Sequence, residues 1–266
     1  RQAGSEDPRR EAWRIWTDLE EQAGRRANPA VKGAAPAPGA AQRFLDAIAR
    51  RAAGEPIAYV TGIAGFRRLT LASDRRALIP RPETEGLVEL LLARAPGGRV
   101  ADVGTGSGCI ALALADEGAY DLVIGLERSA SALELARENQ RRTGLPVQLV
   151  QTDLLECLAD ASMDAVIANP PYLTEAEYRA LDRSVRDWEP REALASGEDG
   201  LVATRRLLDQ ARRVIRPGGW VALELDATRA AAVARLAGSS GWANPSVHMD
   251  LFDRARYLLA RRNEAE

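Results

Sequence analysis

Arg99-Val100-Ala101-Asp102-Val103-Gly104-Thr105-Gly106-Ser107-Gly108 is the stretch whose reading decides the fold. A short apolar run breaks into a turn with glycine at every second position. The residues that follow, up to Asp116, favour a helix, so a strand over Arg99–Val103 and a helix over Gly108–Asp116 are expected. Glycine at such a turn takes backbone angles closed to other residues and lets a ligand approach the main chain. Many nucleotide-binding folds share a glycine-rich turn, so its meaning depends on its surroundings.

Toward the C-terminus the pattern repeats. Strands are expected at Asp121–Leu126, Val147–Gln151, Ala165–Ala168, Trp220–Leu225, Ser246–Leu251 and Arg256–Ala260, with helices at Ala130–Arg142, Leu201–Ile215 and near Arg229–Ala237. This alternation implies a mostly parallel sheet with helices on both faces. Only Phe252-Asp253-Arg254 separates the last two strands, so they are expected to pair antiparallel and close a seven-stranded sheet.

Toward the N-terminus stands Pro80-Arg81-Pro82-Glu83-Thr84-Glu85, where Pro82 suits the first turn of a helix running to Ala95. Before it, Ile57–Ile79 alternates apolar and polar residues around Gly62, Gly65 and Ser73-Asp74, which predicts a hairpin. Two helices are expected further upstream. Asp7–Ala23 carries Trp13, Ile15, Trp16 and Leu19 on one face, and Ala41–Ala53 turns Phe44, Leu45 and Ile48 inward. Between them the Ala/Pro-rich stretch 28–41 reads as a linker. Three units follow: a small helical unit over 1–56, a β-hairpin connector over 57–80 and the main domain over 81–266.

Hydrophobic residues make up 46% of the 266 and charged residues 28%, the balance of a globular chain. No apolar run reaches the roughly 18 residues of a membrane span, no signal-peptide pattern opens the chain, and a cytoplasmic monomer is expected. The first residue is Arg1 rather than Met, so part of the natural N-terminus is expected to be missing. Net charge is −2, which gives no strong basic field, so direct nucleic-acid binding is not expected. Cys109 and Cys157 are too few for a disulfide framework or a zinc site, and no metal is expected. The single histidine, His248, has no nucleophile pattern around it and is expected in a C-terminal strand.

In sheets of this kind ligands bind beyond the carboxyl ends of the strands. Glu127 ends the second strand of the main sheet about 20 residues after the glycine turn, where an acid holds ribose hydroxyls. Asp153 follows the next strand, placed to accept from an adenine amino group. A dinucleotide and S-adenosylmethionine compete for such a site. The dinucleotide fingerprint wants its third glycine one position later and a helix N-terminus free for pyrophosphate. This loop reads G-x-G-x-G behind the acidic Asp102, which repels pyrophosphate and suits a cofactor bearing a sulfonium and an amino group. S-adenosyl-L-methionine is therefore expected, with S-adenosyl-L-homocysteine as product. Asp102, Gly104, Thr105, Gly106, Ser107, Gly108, Glu127, Asp153, Leu154 and Asn169 are its candidate ligands. Asp102 has a second reading, as an acid that orders the loop or caps the helix.

Asn169-Pro170-Pro171-Tyr172 follows the strand Ala165–Ala168 and so lies beside the cofactor. An amide nitrogen is a poor nucleophile because its lone pair is delocalised into the carbonyl. The Asn169 side-chain carbonyl and the Pro170 backbone carbonyl suit the two N–H bonds of one NH2 group. Proline fixes φ and brings no competing N–H, and Tyr172 offers a flat face for a planar amide or base. Asn169, Pro170 and Tyr172 are the candidate catalytic residues; Pro171, Arg81 and Glu83 join them as candidate substrate contacts. Such a site works mainly by positioning and by stabilising positive charge growing on nitrogen.

From about Gly54 to Arg262 the sequence resembles the HemK/PrmC family of peptide chain release factor N(5)-glutamine methyltransferases. The resemblance rests on Glu55-Pro56 with Tyr59 and Gly62, Ile79-Pro80-Arg81-Pro82-Glu83-Thr84-Glu85, the glycine loop, Asn169-Pro170-Pro171-Tyr172, Glu189-Pro190, Ala193-Leu194 and Gly197-Glu198-Asp199-Gly200-Leu201. It implies an α/β, Rossmann-like class I methyltransferase sheet with a small N-terminal helical domain that helps to hold the substrate. It also implies methylation of the Gly-Gly-Gln glutamine of class 1 release factors, a step that modulates translation termination. The chain departs from the family pattern at Glu127, usually Asp, at Glu224-Leu225-Asp226 with Arg229, usually Glu-x-Gly followed by Gln, and near Asp253 and Ala255, usually Gly and Asp. Alternatives are a ribosomal-protein glutamine methyltransferase, an adenine N6 methyltransferase on nucleic acid, and a binding module that kept the fold without activity.

Overall fold

The main sheet runs β5-β4-β3-β6-β7-β9-β8 in a computed structural model that describes residues 7–22 and 39–264. Its strands are β3 (Gly97–Val103), β4 (Ala119–Glu127), β5 (Val147–Gln151), β6 (Met163–Ala168), β7 (Ile215–Glu224), β8 (Trp242–Met249) and β9 (Ala255–Arg262). β3 to β7 pair in parallel, while β9 inserts antiparallel between β7 and β8. The expected seven-stranded α/β fold is present. The β8–β9 hairpin is also present, and Asp253 at its turn takes a left-handed φ of 57°, a conformation that Asp tolerates better than most residues. His248 lies in β8 as expected, its Nε2 2.9 Å from Ser246 Oγ.

Side-chain alternation divides the core into two layers. Val100, Ala165, Ile167 and Ala222 face helices α4 (Pro82–Leu92) and α5 (Cys109–Glu117). The intervening Ala101, Val103, Val166 and Ala168 face α9 (Val202–Val214) and α10 (Ala230–Ser239). Every residue of β6 is buried, as a central parallel strand requires. After the glycine loop come also α6 (Ala130–Thr143) and the short α7 (Glu175–Ala180) and α8 (Arg183–Arg186).

Upstream, α1 (Pro8–Gln22) and α2 (Ala40–Ala52) meet at Ile15, Ala47 and Val60, and the rings of Trp16 and Phe44 pack edge to face at 5.6 Å. Trp13 and Leu45, expected on the inward faces, each remain 60% exposed. Most of the Ala/Pro-rich stretch 28–41 lies outside the described residues. The connector is only partly a hairpin. Ile57–Thr61 forms one helical turn, α3, before β1 (Ile63–Phe66) and β2 (Leu69–Ala72) pair antiparallel. All four residues Ala58–Thr61 are buried, so no polar face marked this turn as helical.

Register places the functional ends together. Val103 pairs with both Leu126 and Ala168, and Ala168 pairs with Leu223. The glycine loop, Glu127, Asn169 and Glu224 therefore leave the sheet side by side.

Candidate active site

Gly104, Gly106 and Gly108 take φ of 71°, 55° and 83° as the chain turns from β3 into α5. Gly108 caps α5 in the left-handed region, where a Cβ would press at 3.4 Å on Ala136 and Leu112. Asp102 lies beneath this turn with no exposed surface. Its Oδ2 accepts from Thr105 Oγ1 at 2.5 Å and from the Ala111 N–H at 3.1 Å, while the buried Oδ1 has no partner among the described residues. Burial pushes its carboxyl up to about 7 against those two hydrogen bonds, and nearby Glu127 adds to the rise. Asp102 thus acts as the loop-ordering acid, the second of its two readings. Neither it nor Gly108 reaches the cavity wall.

Glu127 does reach it. Its Oε2 accepts from the Gly106 N–H at 3.0 Å and its Oε1 from the Ser129 N–H at 2.8 Å. Each oxygen keeps a second lone pair for a hydroxyl. From the far side Asn139 of α6 holds the same loop. Its Nδ2 donates to the carbonyls of Ser107 at 2.9 Å and Ala72 at 3.1 Å, and its Oδ1 accepts the Ala72 N–H at 2.6 Å. One buried side chain thus ties the connector hairpin to the glycine loop.

These groups open on a cleft of about 1260 Å³, its mouth included. The wall comprises residues 76–81 and Thr84, Gly104 to Ser107, Cys109, Ile110, Leu126 to Ser129, Thr152 to Leu154, Asn169 to Pro171, Pro190, Glu192, Ala193, Ala132, Ala203, Arg206 and Leu207. Most of the residues expected from sequence meet here. Asp153 is also ion-paired, with one carboxylate oxygen 2.7 Å from Arg206 of α9. Arg81 borders the cleft and braces it: its Nη2 lies 2.6 Å from Oε1 of the buried Glu189, whose Oε2 accepts the Ile79 N–H at 3.1 Å. Glu83 does not line the cleft, and its carbonyl accepts from Tyr257 Oη at 2.5 Å.

Asn169 Nδ2 donates to Thr84 Oγ1 at 3.1 Å, and Thr84 donates to Glu224 Oε2 at 2.6 Å. Asn169 Oδ1 and the Pro170 carbonyl accept no hydrogen bond among the described residues. Tyr172, expected to offer its ring to a planar group, is partly buried and follows Asn169, Pro170 and Pro171, which line the cleft. Its carbonyl packs so closely on Gly200, with φ 71°, that no Cβ fits there. Burial, then the charge of Glu224, pushes its phenol up to about 12, so it stays neutral near pH 7. The ring of Trp188, next to Glu189, lies under the Arg75 guanidinium, whose carbon is 3.9 Å from the ring centroid. Thr84 stood within the proline-bounded motif without a role, and nothing local pointed to Arg206.

The residues present fit S-adenosylmethionine. A glycine loop with main chain open to the cleft, an acid at the end of β4 with spare acceptor capacity and apolar walls at Leu126, Ala132 and Leu207 match its amino acid, ribose and adenine parts. Such a site on a seven-stranded sheet with this strand order defines an S-adenosylmethionine-dependent class I methyltransferase. Comparison with known proteins agrees. The family described as methyltransferase small domain matches residues 82–197, and the PrmC N-terminal domain matches residues 1–62. A release factor glutamine methyltransferase of Moorella thermoacetica is 44% identical over 86% of this chain and 82% of its own length. The one from Nitratidesulfovibrio vulgaris is 42% identical over 83% and 77%. A methyltransferase structure from Pyrococcus furiosus superposes with a TM-score of 0.56 at 20% identity, covering 84% of this chain and 98% of that one, which supports the fold. The chain belongs to the release factor glutamine methyltransferase family. No helix among the described residues is long and apolar enough to cross a membrane.

Proposed function

We propose that this enzyme methylates the side-chain amide nitrogen of a protein glutamine, that of the Gly-Gly-Gln motif in a class 1 release factor. One observation carries the reading: Asn169 and Pro170 line the cleft, and the Asn169 Oδ1 and the Pro170 carbonyl accept no hydrogen bond among the described residues. A primary amide brings two N–H donors to that pair, and holding both fixes the nitrogen in one orientation. S-adenosylmethionine supplies an electrophilic methyl group when bound against the glycine loop and Glu127. The two acceptors stabilise positive charge as it develops on nitrogen. Tyr172, its phenol neutral near pH 7, is not the base, and the extra proton leaves to solvent through the open mouth of the cleft. Residues of α1 and α2 are read as the docking unit for the protein, because Trp13 and Leu45 expose large apolar surface there and the PrmC N-terminal domain matches this region.

The test incubates the enzyme and Asn169→Ala with labelled S-adenosylmethionine and purified release factor, ribosomal protein or DNA. Label is expected on the release-factor glutamine, with the variant at least roughly 100-fold slower, as loss of a transition-state acceptor implies. Label on DNA alone would overturn the assignment, and equal rates for the variant would overturn the role of Asn169.

A further inference from the structure

An asparagine amide presents oxygen or NH2 according to a rotation of 180° about its last bond, and only the oxygen serves a substrate that brings N–H donors. Something must decide that rotation. The Thr84 hydroxyl lies 3.1 Å from Asn169 Nδ2 and has a single proton, which it gives to Glu224 Oε2 at 2.6 Å. Thr84 then has only lone pairs to offer, and only the NH2 side of Asn169 satisfies them. Thr84 is 2% exposed and Glu224 3%, so solvent does not compete for these bonds. The three residues come from the end of β6, the first turn of α4 and the end of β7, brought together by the Ala168–Leu223 pairing.

We infer that Glu224, acting through the Thr84 hydroxyl, is a positioning residue that holds the Asn169 carbonyl oxygen toward the substrate nitrogen. This rests on the amide-methylation reading above and adds the device that orients its main acceptor. An ionised Glu224 is acceptor-only, which fixes the direction of both bonds; a protonated one donates to Thr84 and allows the chain to reverse. Burial pushes Glu224 up to about 7, against the Thr84 hydrogen bond and the charge of Arg256. The other groups in its field are Glu83 and Arg81 at the start of α4, Cys109 at the head of α5, Tyr172, and Tyr257 on β9.

The experiment measures kcat, KM for the release factor and S-adenosylmethionine affinity by calorimetry for wild type, Thr84→Val, Thr84→Ser and Glu224→Gln, with kcat followed from about pH 6 to 9. A misoriented acceptor costs the transition state more than the bound state, so Thr84→Val is expected to lose roughly 10- to 100-fold in kcat. Its KM and cofactor affinity should stay within about threefold, and Thr84→Ser, which keeps the hydroxyl, should recover most of the rate. In wild type kcat should rise with pH through an inflection near 7 that Glu224→Gln lacks. An active wild type whose inflection survives in Glu224→Gln, or whose kcat survives in Thr84→Val, overturns the relay and leaves glutamine methylation standing. Should Thr84→Val fail to fold, Thr84→Ser and Glu224→Gln decide it. A wild type that leaves the release factor unlabelled removes the reading on which the relay rests.

Discussion

Asp102 loses its hydration completely on folding, and the two hydrogen bonds it accepts engage only one of its oxygens. The folded chain therefore holds a proton on Asp102 more tightly than the unfolded chain, where the ordinary value is 3.8, and Glu224 shifts in the same direction from 4.5. Between roughly pH 4 and 7 the native state binds more protons, so this contribution is full at low pH and is lost as pH rises through about 7. For Asp102 a rise of about three pH units corresponds to on the order of 4 kcal/mol. Glu117 and Asp74, held low by hydrogen bonds from Arg67 and Arg76, act with opposite sign and lose their contribution as pH falls. Melting temperature without cofactor should drop between about pH 5 and pH 8, and Asp102→Asn should flatten that drop. An unchanged slope in the variant would place the linkage elsewhere. At this scale the residue types were legible in the sequence, whereas the choice between the two readings of Asp102 was not, because it depends on burial beneath the loop.

Elements hold the loop from behind as well as from the cleft. Asn139 of α6 joins β2 to the glycine loop through three hydrogen bonds inside the protein. Leucine there would leave the Ala72 amide and the Ala72 and Ser107 carbonyls unpaired, at about 1–3 kcal/mol for each buried group. Asn139→Leu is expected to lower stability by at least about 2 kcal/mol and to weaken S-adenosylmethionine binding roughly tenfold. Calorimetry showing unweakened binding would mean that the latch does not shape the loop. Arg229 makes another connection between elements. It reaches Glu177 at 2.6 Å and Asp226 at 3.1 Å, and its Nε donates to the Asp199 carbonyl at 3.0 Å. It thereby joins α7, the turn before α10 and the loop behind Tyr172. Long alternating elements were legible from their periodicity, whereas α3, α7 and α8 span only one or two turns and carry too few residues to show a period.

At the scale of the whole molecule, the described part of the helical unit packs around a small core of its own. Its core is a satellite built on Ile15, Ala47 and Val60, separate from the two layers that sandwich the sheet. Ile15→Ala should cost about 2–4 kcal/mol locally, enough to loosen α1 while the sheet stays folded. Hydrogen exchange should accelerate in α1, KM for the protein substrate should rise, and cofactor affinity should hold. Weakened cofactor binding in this variant would show instead that the helical unit supports the cleft.

The sequence alone determined the sheet, its antiparallel closure and the class of enzyme. Strand alternation, glycine spacing and the N-P-P-Y turn are local patterns, and a parallel sheet brings its strand ends together whatever the intervening helices do. Only the tertiary structure decided which groups face the cleft. Thr84 meets Glu224 across 140 residues, and Arg206 meets Asp153 across 53. Such pairs depend on strand order and helix packing, which residue spacing does not encode. The same packing buried Asp102 beneath the glycine loop and brought Thr84 and Glu224 into one hydrogen-bonded chain with Asn169.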